Sequence, residues 1–305
     1  IKETPDALYN ASVMHEALGN ARAAEKIRRQ YVKLYPKRPD ATRAFFSIGK
    51  LLESQKKWGA AETFYLAFVK RPAAKAHPTL VVAAWTRAGR AVRRSKRGKS
   101  ARGQKRALAH FRKAVAAYRR LRLKPGSFAA AFAGWARFQL AEVLFERFER
   151  APLRGQGAAL VRALIRKSKL REQAQKAYQQ VLPYKALVWS TAAVYRIGML
   201  FARTVEALYA IPVPRSLTKP AEKERYRAML QEKAMPVEEA ALGAFRKAVA
   251  VAHRLRVYNR FTQQAAKRLL KLDPDQYPNP GQPVLQGGYR LQPSGARPVL
   301  PGGGR

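Results

Sequence analysis

Eight cations crowd the 14 residues from Arg93 to Arg106: Arg93, Arg94, Lys96, Arg97, Lys99, Arg102, Lys105 and Arg106. Side chains of this type do one kind of chemistry. They stay charged at neutral pH and donate hydrogen bonds to anionic oxygens, arginine through a planar fork that matches phosphate or carboxylate two bonds at a time. The cluster lies inside a longer window, Thr63 to Ala141, whose 79 residues hold 20 Lys and Arg and no Asp or Glu. The whole chain of 305 residues carries 61 Lys and Arg against 19 Asp and Glu, a net charge of +42, and 37 of those cations are Arg. A field of that size concerns partners and association rather than fold. It points to a polyanion, and nucleic acid is the commonest one.

Other chemistries fail on residue type or spacing. The chain has no cysteine, which removes disulfides, thiolate zinc sites and thiol nucleophiles. His15, His77, His110 and His253 stand far apart, and none shares metal-ligand spacing with a carboxylate, so no metal is expected. Gly98-Lys99-Ser100 looks like the end of a phosphate-binding P-loop, but the first glycine of that motif would fall at Arg93 and no strand precedes it. Carboxylates such as Glu238 and Glu239 read as partners of nearby cations. No catalytic residue, cofactor or small-molecule substrate is expected. No apolar run approaches the ~18 residues of a membrane span. The start at Ile1 rather than Met points to a removed leader, and with it to an exported protein of the envelope or exterior rather than a cytoplasmic one.

The elements that must position these cations read as repeated helix pairs. Hydrophobic residues make up 47% of the chain, enough for a core. Thr42 to Leu52 and Trp58 to Val69 predict two helices with a turn, with Phe45, Ile48, Gly49 and Leu52 on the first and Ala61, Tyr65 and Phe68 on the second. Gly and Ala at the crossing points let helices approach, and the rings fill the gaps. The pattern returns with Leu8, Ala11, Ser12, Ala24 and Tyr31 and with Trp85, Ala88, Gly89, Ala107, Phe111 and Ala114. It returns again with Leu140, Ala141, Leu144, Ala174, Tyr178 and Val181, and with Val194, Ile197, Gly198, Phe201, Ala241, Phe245 and Ala248. An amphipathic stretch from Tyr258 to Leu272 should cap the array. This pattern resembles the tetratricopeptide repeat, and the resemblance implies an all-α solenoid of about five helix pairs over residues 1–275. The stretch from Phe245 through Tyr258 to Pro274 also resembles the end of the tetratricopeptide proteins of myxobacterial gliding-motility complexes, which are exported envelope proteins.

In tetratricopeptide arrays the first helix of each pair lines the concave surface. The resemblance therefore implies a groove bearing Tyr9, then Arg43, Phe46 and Lys50, then Arg87, Arg90, Arg93 and Arg94, then Trp135 and Phe138, then Tyr195 and Arg203. Exposed rings beside cations suit single-stranded nucleic acid, because bases stack on rings while Arg and Lys follow the phosphates. Phe46, Phe138 and Tyr195 read equally well as core residues, since one step of register turns a residue about 100° around its helix.

Two insertions interrupt the pairs. Residues 93–106, with Gly98 and Gly103 and no apolar residue larger than Ala, read either as an extended, solvated helix turn or as a phosphate-binding loop. Residues 211–235 open on Ile211-Pro212-Val213-Pro214 and hold an extra helix around Lys219 to Lys233. Residues 276–305 form a Pro/Gly-rich segment in which Pro283, Val284 and Leu285 recur as Pro298, Val299 and Leu300, with Tyr289 between. Two readings stand for it: docking on a neighbouring subunit, which would build a homo-oligomer or filament, or folding back on its own solenoid. The expected partner is single-stranded nucleic acid, RNA over DNA, bound without sequence preference. The competing reading is an exported scaffold gripping acidic proteins or glycans.

Overall fold

A computed structural model describes residues 4–273, and among them every regular element is helical. The chain runs α1 (Pro5–Ala17), α2 (Ala21–Leu34), α3 (Ala41–Ser54), α4 (Trp58–Lys70), α5 (Pro78–Arg94) and α6 (Ala101–Arg120). It continues through α7 (Phe128–Arg150), α8 (Gly157–Gln179), α9 (Leu187–Tyr209), α10 (Pro220–Leu255) and α11 (Arg260–Leu272). Each helix packs on the next, and α5, α7, α9 and α11 also pack side by side. The fold is an all-α solenoid. Pro283, Val284, Leu285, Tyr289, Pro298, Val299 and Leu300 lie outside the described residues.

Local sequence starts the helices. Thr4, Ser100, Ser127 and Asn259 cap α1, α6, α7 and α11 with side-chain oxygens that accept from free first-turn N–H groups. Pro5, Pro78 and Pro220 begin α1, α5 and α10, where a missing N–H costs nothing.

Inside a pair, a glycine on the first helix faces a ring on the second. A Cβ at Gly49 would lie 2.6 Å from the Tyr65 ring, at Gly89 2.4 Å from Phe111, and at Gly198 2.6 Å from Phe245. All three rings are buried. The fourth pair places Ala141 in the glycine position, in one core with Tyr178. The first pair replaces the motif altogether. Ser12 stands where the glycine would, and the buried Arg28 stands where the ring would. Arg28 donates to Ser12 Oγ at 3.2 Å and to Glu16 Oε2 at 2.5 Å, so a polar lock does the work of ring packing.

Both predicted insertions are built into helices. Residues 93–106 form a solvated turn between two helices: Arg93 and Arg94 end α5, a single 3-10 turn spans Lys96–Lys99, α6 begins at Ala101, and all eight cations are exposed. Gly98 and Gly103 make this corner tight. A Cβ at Gly98 would sit 2.2 Å from the Val92 carbonyl oxygen, and one at Gly103 2.0 Å from that of Arg97. With both glycines buried, the cations point outward. The extra helix expected around Lys219 to Lys233 is the first half of one 36-residue helix, α10, which continues through Pro236. Pro236 is exposed, so the Glu232 carbonyl that it leaves unbonded opens to water. A buried lysine closes α7. Lys167 Nζ donates to the carbonyls of Phe148 at 3.0 Å and Ala151 at 2.8 Å, and burial holds its pKa below the ordinary lysine value.

The glycine contacts make a stability prediction. Gly89→Ala should cost about 1–3 kcal/mol, because the Phe111 ring must move out of a packed core. Gly243→Ala, whose Cβ would meet nothing within 4 Å, should stabilise by roughly 0.5–1 kcal/mol through helix propensity. Urea denaturation midpoints of the two variants check both signs; equal effects would show that the ring contact does not set the spacing.

Candidate binding groove

A groove of about 650 Å³ opens on the face formed by α5, α7, α9 and α11. Its arginines come from three helices: Arg87, Arg90, Arg93 and Arg94 from α5, Arg196 from α9 and Arg260 from α11. Phe132, Trp135 and Phe138 of α7, Trp189 of α9 and Phe261 of α11 make its floor. The rings pack on one another, with centroids 6.0 Å apart for Trp135 and Trp189, 5.6 Å for Phe138 and Trp189, and 5.9 Å for Phe138 and Phe261.

Two carboxylates organise the arginines. Buried Glu53 of α3 accepts from Arg87 at 2.7 Å and from Arg90 at 2.5 Å on the same oxygen. Glu142 of α7 takes Arg196 bidentately, at 2.9 Å from Nε and 2.7 Å from Nη2. It also accepts from the Tyr178 hydroxyl. Burial works against the Arg196 charge, but Glu142 outweighs it and lifts the guanidinium above its usual pKa. Burial, then the Glu142 charge, pushes the Tyr178 phenol far up, so it remains a donor. Arg93 donates to the Gln139 side chain. Arg94 and Arg260 have no carboxylate partner among the described residues, and Arg260 lies 4.6 Å over the Phe261 ring. Six guanidiniums thus face two carboxylates, and the surplus can hold the anionic groups of a ligand.

The structure brings together part of the predicted site. Arg87, Arg90, Arg93, Arg94, Trp135 and Phe138 line the groove. Lys50 lines its extension toward α3, beside Glu53. Arg43 is exposed on α3, outside these linings. Lys99 borders a smaller cavity of about 240 Å³ between the basic corner and α7. Lys96, Arg97, Arg102, Lys105 and Arg106 point away from the groove, and Arg106 pairs with Glu62 at 3.1 Å. Arg203 pairs with Glu206 at 2.5 Å and Glu149 at 3.5 Å.

The stacking rings need correction. Phe46, Phe138 and Tyr195 are 7%, 2% and 6% exposed, which leaves no face for a base. Phe46 packs on Tyr65 and Phe68, and Tyr195 on Phe245 and Phe261, because their positions turn toward the second helices. Tyr9 is half-buried, with its ring 5.5 Å from that of Tyr31. Trp135 alone of the five is both half-buried and at the groove. Sequence reasoning missed Glu53, Glu142, Trp189, Arg196, Arg260 and Phe261. Arg196 follows Tyr195 directly, so a register moved by one step finds it.

No family model and no curated protein matches the chain. Solved structures with a similar arrangement include a tetratricopeptide-repeat protein from Bacteroides fragilis, at 15% identity and a TM-score of 0.41, over 87% of this chain and 99% of that one. Another, from Parabacteroides merdae, is 14% identical with a TM-score of 0.33, over 88% of this chain and 98% of that one. Within the chain itself, the repeated glycine–ring contacts of the helix pairs resemble those of the tetratricopeptide repeat. No described helix is long and apolar enough to cross a membrane.

Glu53→Gln should cost about 1–3 kcal/mol, since two guanidiniums lose a buried, charged acceptor. Arg90→Ala should then cost less on the Glu53→Gln background than on the native one. Strict additivity in this double-mutant cycle would rule out the network.

Proposed function

We propose that the chain is a scaffold that holds an extended acidic segment of a partner protein in the groove between α5, α7, α9 and α11. The excess of guanidiniums over carboxylates above a ring-lined floor carries this reading. Carboxylates pair with Arg forks bidentately, and alternate side chains of an extended peptide can rest against Trp135, Trp189 and Phe132. A solenoid face of parallel helices gives such a segment a continuous track.

Single-stranded RNA in the same groove is the second reading, and the acid-free window from Thr63 to Ala141 favours it. It is the weaker one because three of the expected stacking rings, Phe46, Phe138 and Tyr195, are occupied by core packing, which leaves only the half-buried faces of Phe132, Trp135 and Trp189 for bases.

Fluorescence anisotropy with a labelled peptide of Glu residues alternating with apolar residues, and with oligouridylate, tests the reading. The peptide should bind, and Arg90→Ala with Arg260→Ala should weaken it roughly tenfold, as expected for two lost charge-assisted contacts. Peptide affinity no better than millimolar would sink the acidic-segment reading. Oligouridylate that binds and is weakened by the same two substitutions would transfer the groove to nucleic acid.

A further inference from the structure

The groove draws nothing from α6, although α6 lies in the acid-free window and is one of its most basic elements. Its apolar side is spent inside the solenoid: Ala107, Phe111, Ala114 and Tyr118 are buried. The other side faces solvent. From Arg102 to Arg120 nine residues are exposed, and seven of them are cations: Arg102, Lys105, Arg106, Arg112, Lys113, Arg119 and Arg120. The remaining two are Gln104 and Ala116.

The spacing is that of a single helical stripe, with neighbours three, four or seven positions apart. Over a 20-residue helix the stripe is about 30 Å long. Exposed Lys96 and Arg97 precede the helix in sequence, and exposed Arg122 and Lys124 follow it. Within the stripe only Arg106 has a carboxylate partner among the described residues, Glu62 at 3.1 Å. Lys113 rests 4.7 Å above the Trp85 ring.

We propose that this solvent face of α6 is a second binding surface, which takes the phosphate backbone of a double-stranded nucleic acid without reading its sequence. The composition of the ridge selects that partner. A membrane-surface helix needs an apolar face to insert, and the apolar face of α6 is buried. Protein interfaces deplete charge at their centre and bury rings and aliphatic groups there, whereas Ala116 is the one apolar residue among the nine exposed here. Single strands are held largely by stacking on open rings, and the Trp85 ring beside the ridge is half-buried under Lys113. A duplex asks for neither. It carries a dense, rigid row of phosphates, and the counterions released as cations replace them supply affinity without apolar burial.

The inference stands apart from the groove reading and is tested apart from it. The full chain is titrated with a labelled DNA duplex of about 20 base pairs, more than twice the ridge in length. The variant Lys105→Gln/Arg112→Gln/Arg119→Gln/Arg120→Gln should bind the duplex at least roughly tenfold more weakly at low salt. The slope of log affinity against log salt should fall by about three to four. The charge-keeping variant Lys105→Arg/Arg112→Lys/Arg119→Lys/Arg120→Lys should bind as the native chain does, which separates lost charge from lost fold. At salt high enough to screen the two faces from each other, acidic-peptide binding in the groove should be the same in all three proteins. If the acidic peptide does not bind while the ridge variant loses the duplex, the groove reading fails alone. The ridge proposal is overturned by a native slope and affinity in the Gln variant. It is overturned as well if polyglutamate or vesicles of phosphatidylserine displace the duplex at equal charge, or if oligouridylate binds the ridge more tightly than the duplex.

Discussion

The spacing between the two helices of a pair governs everything built on it. At Gly49, Gly89 and Gly198 a ring of the second helix occupies the volume that a Cβ would need. The first helix is thereby drawn onto the second, and successive first helices fall side by side on one face. The groove lies between four such helices, α5, α7, α9 and α11. No glycine lines it, yet its width follows from theirs. The first pair reaches a comparable spacing by other means, through the buried Arg28 with Ser12 and Glu16. Ring packing is thus one solution to a geometric demand that a satisfied polar cluster can also meet.

The chain uses its few acids selectively. Glu53 and Glu142 are spent inside the groove, where each fixes guanidiniums in place. Glu62 is buried between α4 and α6 and holds His110 at 2.9 Å and Arg106 at 3.1 Å. The outer stripe of α6 receives almost nothing. Like charges three and four positions apart cost a helix some 0.2–0.5 kcal/mol per pair. The stripe persists because the opposite side of α6, through Phe111 and Tyr118, is anchored in the solenoid. A folded chain that retains such a row against its own stability has a reason outside the fold, which is the physical ground for giving the ridge a partner of its own.

The repeats were legible in the sequence because their signal is steric. Small residues at fixed distance from rings, as in Gly49 with Tyr65 or Gly89 with Phe111, survive any drift in surface composition. Which side of a helix faces the groove was not legible at the same resolution. Tyr195 and Arg196 are adjacent in sequence and about 100° apart on the helix, and only packing decides that the ring goes to the core and the cation to the groove. The basic corner at 93–106 was legible as a solvated turn but not in its geometry. Glycines between cations suggest an open loop, but Gly98 and Gly103 serve a close backbone contact instead. The long α10 hid behind Pro236, a residue that ends helices when buried and is tolerated when its orphaned carbonyl reaches water. Glu53 and Glu142 were invisible as site residues because their role depends on arginines more than 30 positions away.

The two surfaces are carried by adjacent helices. Helix α5 carries four of the groove arginines, and α6 packs directly on α5 with its ridge turned outward. Packed helix axes are about 8–10 Å apart, close to one Debye length at ~0.1 M salt. A polyanion on the ridge therefore lowers the potential felt in the groove at low salt, and an acidic segment in the groove does the same to the ridge. Linkage requires the two effects to be equal in binding free energy. The surfaces oppose each other weakly in dilute buffer and become independent as salt rises, since the ion pairs that shape the groove are partly buried while the field between the two faces runs through solvent. With both surfaces occupied as proposed, salt would decide whether the chain acts as one polyanion-binding body or as two separate ones.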